Sequence, residues 1–234
     1  APDGFTVTYR NYPDETPVIY AGQLIENWRD NGDGSFTATG VDACNILYAD
    51  KQIIRKARFP AEGYAYAEPA DDPESLTQFR VSAEIMQRID RVEGLQVFIW
   101  PGGPSGVWNW FTDIIPVASV DHDERLITLK SPARYAIGAG GSRFYLMGAP
   151  GFLEAPGQFF YNEAERSMTC LPPPDMAGQL QVIAPFSPRA IGFIGASPEN
   201  PVRNIRLEGL EICCTDTVNE IGGDPGPTGD AIYP

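Results

Sequence analysis

The sequence predicts an all-β protein in which short strands of a solenoid at the two ends are interrupted by a larger β-rich, sandwich-like module carrying one short helix. Three observations predict it. Glycine and proline are abundant, 24 and 22 among 234 residues. Helical bundles do not tolerate that many breakers, because proline removes a backbone donor and glycine costs chain entropy. Apolar runs are short, alternate with polar residues and are closed by turn residues every few positions. Hydrophobic residues make up 43% of the chain, enough for one large core or two modest ones.

Taken in order, residues 4–10 (GFTVTYR) read as a strand of β-branched and aromatic residues. A turn at Asn11-Tyr12-Pro13-Asp14-Glu15 leads to a short apolar strand, Pro17 to Tyr20, that ends near Gly22. From residue 23 the texture changes. Trp28 and Phe36-Thr37-Ala38 flank Asn31-Gly32-Asp33-Gly34 as a hairpin around a Gly/Asp turn. The acidic cluster is a turn and not a calcium loop: with Gly34 at the sixth position of an EF-hand loop, the first ligand position falls on Arg29. Residues 46–59 read as a hairpin turning near Ala49-Asp50, with Arg55, Lys56 and Arg58 as a solvated basic strand face.

The helix is expected over 82–94. Ser82 caps it, Ile85, Ile89 and Val92 share a face, and Gly94 ends it. A strand from Leu95 to Trp100 follows, then an open loop, Pro101 to Gly106, with Trp108, Trp110 and Phe111 just beyond. Residues 114–129 alternate on both sides of Asp121-His122-Asp123-Glu124, so His122, the single histidine, sits at a turn tip. A Ser-His-Asp triad needs a partly buried histidine held by a carboxylate, which argues against that chemistry. Gly138 to Gly141 hints at a phosphate loop, but a strand, Ser142 to Met147, follows where a helix N-terminus is required.

In the last third, short apolar runs recur at 181–183, 190–194, 202–207 and 210–212, with Gly209 at a corner. Strands this short must stack on neighbours, which suits coils of a solenoid. The domain reading is therefore a first coil at 1–22, an inserted module at 23–145 and continued coils at 146–234. The tail, Gly222 to Gly229, reads as loop, and Ala231-Ile232-Tyr233 as the start of another strand.

The net charge of −14 and the pI near 4.4 exclude the basic footprint that nucleic acid requires and disfavour anionic membrane surfaces. The acidity suits an extracellular or cell-surface protein. No run approaches the length of a membrane-spanning helix. The chain opens at Ala1-Pro2-Asp3 with neither Met nor a basic and then apolar leader, which reads as a processed or partial chain. Cys44, Cys170, Cys213 and Cys214 allow two disulfides in three pairings. With one histidine and no CxxC, a zinc site is not expected, and neither is a cofactor.

Three segments resemble right-handed parallel β-helix proteins of the glycoside-hydrolase kind, in which a sandwich-like module interrupts the early coils. They are Tyr12 to Ile19, Ile53 to Pro60 with its Ala57-Arg58-Phe59-Pro60, and Tyr145-Leu146-Met147 through Leu153-Glu154-Ala155-Pro156-Gly157-Gln158-Phe159-Phe160-Tyr161-Asn162, with Asn204 to Ile212 following later. Gln158 and Asn162 stand where such proteins often carry Glu and Asp, so two carboxylates are lost and the segment reads as a structural turn and strand. The resemblance implies a right-handed parallel β-helix interrupted by the insert, and a poly- or oligosaccharide partner.

Three functions compete. A glycoside hydrolase needs two carboxyl groups across the scissile bond; the candidates by position are Asp216, Glu220, Asp224 and Asp230. A glycan-binding module would use Trp100, Trp108 and Trp110 to stack on sugar rings, with Asp113 bonding hydroxyls. Against it stands the reading of the same aromatics as core. A structural subunit of a fibre or spike would self-associate head to tail through the open strand edges of the solenoid.

Overall fold

A computed structural model describes residues 4–106, 110–174 and 181–216. The first strands are β1 (Val7–Arg10), β2 (Val18–Tyr20), β3 (Gly22–Ile25), β4 (Arg29–Asp30), β5 (Phe36–Thr39), β6 (Ile46–Ala49), β7 (Gln52–Lys56), β8 (Arg58–Phe59), β9 (Ala65–Tyr66) and β10 (Gln78–Arg80). After helix α1 (Ala83–Gln87) come β11 (Gln96–Trp100), β12 (Asp113–Asp121), β13 (Leu126–Leu129), β14 (Arg143–Met147), β15 (Gln158–Asn162), β16 (Ser167–Leu171) and β17 (Val182–Pro185). The last described strands are β18 (Ile205–Glu208) and β19 (Glu211–Cys213). The all-β expectation holds.

Two sheets carry the molecule. The first runs β10-β13-β12-β11-β14-β8, with β9 also on β14, and every pairing in it is antiparallel. It curls. In a flat sheet β10 and β14, four steps apart, would be separated by roughly 19 Å. Yet the Phe79 ring of β10 meets the Phe144 ring of β14 edge-on at 5.0 Å, and both are wholly buried. A register shift between Val117 and Ser119 lies in the middle strand, β12, where bulges add bend and twist. The core inside the curl includes Val97, Ile99, Ile115, Ile127 and Leu146, and α1 adds Ile85 and Met86.

The second sheet runs β3-β17-β6-β7-β15-β16-β5-β4 around Leu47, Ile54, Phe159, Met168 and Val182. Its one parallel contact is β7 with β15. The β6–β7 hairpin turns through Asp50 and Lys51, both with positive φ (45° and 66°), as the twist-matched two-residue turn demands. The β4–β5 hairpin forms as expected. Its acidic residues serve the turn: Asp30 accepts from the Gly32 N–H, and Asp33 from the Ser35 N–H and hydroxyl.

The first two and the last two described strands meet in separate parallel ladders. β1 pairs with β18, Val7 opposite Ile205, and β2 with β19, Val18 opposite Glu211. The corner between β18 and β19 is Gly209 (φ 63°); a Cβ there would stand 2.1 Å from the Asn11 side chain on the ladder below.

Several expectations need correction. A right-handed parallel β-helix is not what the sheets form as a whole: they are mostly antiparallel, and parallel stacking is confined to these ladders and the β7–β15 contact. The segment expected to continue the solenoid from residue 146 instead supplies β15, β16 and β17 to the second sheet, because Phe159, Met168 and Val182 bury into its core. The helix stops at Gln87, with Arg88 as its C-cap. Ser82 does cap it, its hydroxyl accepting from the Ile85 N–H. Beyond the cap only the Ile89 face stays buried, and the chain turns so that Gly94 and Gly148 pack backbone to backbone. No regular strand forms at 190–194.

Candidate functional site

The outward face of β11 and β14 follows from their alternation. Val97 and Ile99 point into the core, so Phe98 and Trp100 point out; Phe144 and Leu146 point in, so Arg143 and Tyr145 point out. The register sets Phe98 opposite Tyr145 and Trp100 opposite Arg143. On the far side of β14, β9 sets Tyr66 opposite Arg143, and β8 sets Arg58 opposite Met147. Directly opposed residues share a face, so one surface strip collects aromatic rings and two arginines.

The rings touch in series. Tyr64 meets Trp100 edge-on at 4.8 Å, Trp100 lies 4.7 Å from Phe98, and Phe98 stacks on Tyr145 at 4.7 Å with 16° between planes. The Arg58 guanidinium lies 4.5 Å over Tyr145. That of Arg143 lies 5.1 Å from the Tyr64 ring and 5.0 Å from the Trp100 ring. Tyr64 and Tyr66 remain 45% and 61% exposed, so the strip ends in accessible rings. A cation over an aromatic face is held by the ring quadrupole, and a sugar ring's C–H face packs on the same kind of surface.

A second aromatic group flanks the strip's sheet. Trp110, 63% exposed, stacks on Phe111 at 3.7 Å, and Phe111 meets Tyr135 at 5.4 Å. The Arg134 guanidinium lies 4.7 Å over Phe111. Asp113 is buried beneath it: its carboxylate accepts from the Arg134 backbone N–H at 2.9 Å and faces the Arg134 guanidinium at 4.0 Å. Asp113 is therefore a positioning residue for this loop. Trp108 lies outside the described residues.

Asp216 sits where the last described turn folds onto β6. Its carboxylate accepts from the Asn45 backbone N–H at 3.0 Å and from the Asn45 amide at 3.4 Å. Lys56 donates to the Asn45 amide oxygen at 2.8 Å, and the Tyr48 hydroxyl to the Thr215 carbonyl at 2.8 Å. Burial lowers Lys56 from its ordinary value, against the pull of Cys44 and Asp216. Burial pushes the Cys44 thiol up to about 12; Asp216 adds to this and Lys56 opposes it. Asp216 thus pins the segment that follows β19 to the second sheet. Glu220, Asp224 and Asp230 lie outside the described residues.

The expected solvated basic face divides. Arg55 is exposed, whereas Lys56 turns in to this polar cluster and Arg58 lies across Tyr145. Gln158 is buried and accepts from the Ala155 N–H at 3.3 Å, so it fixes the turn before β15, consistent with a structural motif. All four cysteines are free thiols. His122 is exposed at the β12–β13 turn. Among the described residues, no three His, Cys, Asp or Glu side chains gather as a metal site, and no helix is long and apolar enough to cross a membrane. A shallow groove of about 270 Å³ between residues 23–27 and 39–41 is mostly polar-lined.

No protein-family model and no curated protein matches the chain. In fold it is similar to a solved structure named a glycoside hydrolase, with a TM-score of 0.67 at 17% identity. The match takes in 91% of this chain and 39% of that one, so the chain spans about two fifths of its neighbour's length. The fold is glycoside-hydrolase-like.

Sequence reasoning singled out Trp100 but not its partners. Tyr64, Phe98 and Tyr145 come from three separate segments, which the pairings of β14 with β11 and with β9 bring together. The signal that could have found them is the outward i, i+2 placement of aromatic or arginine residues on two strands, Phe98/Trp100 and Arg143/Tyr145.

Proposed function

We propose that the chain is a carbohydrate-active protein that binds an oligo- or polysaccharide on the aromatic strip of its first sheet. One observation carries the reading: the strip presents contiguous rings ending in exposed Tyr64 and Tyr66, on a fold like that of a glycoside hydrolase. We read the two parallel ladders as stacked coils of a right-handed parallel β-helix and place the far boundary of the inserted module after β17. Hydrolysis would require a carboxylate pair, for which Asp216 is held by Asn45. On its acidity we place the protein outside the cell or at its surface. The test is calorimetric titration with a panel of tetrasaccharides. Tyr64→Ala and Tyr66→Ala, both exposed, should weaken the best ligand tenfold or more, about 1.4 kcal/mol, with little change in thermal midpoint. Wild-type affinity for none of the panel would sink the reading.

A second reading, a structural subunit joined head to tail, draws on Val7, Tyr9, Leu207 and Ile212, exposed on the end ladders. Among the described residues the outer edges of those ladders carry no further strand, and open edges accept strands from other chains. Sedimentation from micromolar to high micromolar concentration decides it: a single monomeric species throughout rejects assembly.

A further inference from the structure

We propose that the aromatic strip selects acidic glycans, with Arg58 and Arg143 each taking a carboxylate or sulfate group of a sugar lying on it; this rests on the strip being the glycan-binding face. Charge complementarity argues for it. In a chain of net charge −14, Arg80, Arg88, Arg125, Arg134, Arg166 and Arg206 each have a carboxylate nearby. Arg58 and Arg143 have none among the described residues and lie over rings instead. The Arg143 Nε is shielded from solvent and has no hydrogen-bond partner, while the residue as a whole is only half-buried. Arg58 gives its Nε to the Ala61 carbonyl at 3.1 Å, which fixes the fork and leaves its Nη edge for a ligand.

A guanidinium stacked on a ring is weakly hydrated and geometrically fixed, and its planar fork matches a carboxylate or sulfate. Both residues are half-buried and have no carboxylate partner among the described residues, so an anion can reach them without displacing an existing ion pair. Arg143 and Met147, the residue opposite Arg58, are four positions apart on β14, about 14 Å of strand, and Arg58 reaches back over Tyr145, two positions from Arg143, so the two guanidinium groups stand closer than their backbones. Two cations set among rings suit an acidic sugar chain and not nucleic acid, which the net charge repels.

The experiment titrates the full chain with three tetrasaccharides at low salt: a uronate, a sulfated galactan and its neutral galactan counterpart. The expected result is that at least one acidic probe binds roughly ten- to a hundredfold tighter than the neutral one, the better of the two naming the group recognised. Arg58→Gln and Arg143→Gln should each remove most of that preference, reducing neutral binding less. Added salt should erode it. Arg143→Lys, which keeps the charge but not the fork, controls for folding and should also lose most of the preference. Equal affinity for neutral and acidic probes, or an unchanged preference in Arg58→Gln and in a folded Arg143 variant, overturns the selection while the glycan-binding reading stands. No binding of any probe overturns both.

Discussion

Cys44 and Cys170 are buried thiols, and burial pushes each up to about 12 from an ordinary value near 9. Below pH 9 both the native and the unfolded chain hold these protons. Above it the unfolded chain releases them while the native chain keeps them, so native stability falls as pH rises towards 12, by up to about 1.4 kcal/mol per pH unit for each thiol. Lys56 acts in the opposite sense. Burial lowers it, so losing its proton relieves the native state and stability rises until its ordinary value near 10.5 is passed. Urea midpoints between pH 8 and 10.5 separate the contributions: Cys170→Ala should flatten the alkaline decline relative to the parent. A decline equally steep in both would clear that thiol of the effect. At the same scale, Phe144→Ala removes one half of the ring contact that closes the curled sheet and should cost about 3–5 kcal/mol in urea denaturation.

At the scale of elements, the start of β11 and the end of β14 approach so closely that a side chain cannot enter. Gly148 has φ 88°, and a Cβ on it would stand 2.1 Å from the Gly94 carbonyl oxygen. Gly148→Ala should destabilise by ~2 kcal/mol or more, read as a lowered thermal midpoint; an unchanged midpoint would mean that the two loops part easily. Such contacts also mark how far the fold could be read in advance. The β6–β7 and β12–β13 hairpins were legible because apolar runs flank polar turn residues, Asp50-Lys51 and Asp121 to Glu124. The allocation of β15, β16 and β17 was not. Val182 to Pro185 is a short apolar run whether it stacks in a solenoid or lies between β3 and β6, and local pattern does not name a strand's neighbours. The aromatic strip was hidden for the same reason: β11 meets β14 across more than forty intervening residues, and Tyr64 reaches Trp100 from the loop before β9.

At the scale of the molecule, the two cores are not matched by two equally protected ends. β11, β12 and β14 alternate buried residues around the first core, whereas all four residues of β1 and two of the four of β18 are exposed. Hydrogen exchange followed by mass spectrometry should show the β1–β18 and β2–β19 amides exchanging at least ~tenfold faster than those of β11 and β14. Equal protection would mean that the ladders are buttressed by something more than each other. Those ladders also impose a schedule on biosynthesis. Val7 leaves the ribosome before its partner Ile205, which follows about 200 residues later, roughly 10–40 s at ordinary elongation speed. For that interval β1 and β2 are nascent strands with no mate, and the two hydrophobic cores between them can complete first. This stretch of the chain therefore closes from the middle outward, and β1 and β2 are the strands in need of shielding while they wait.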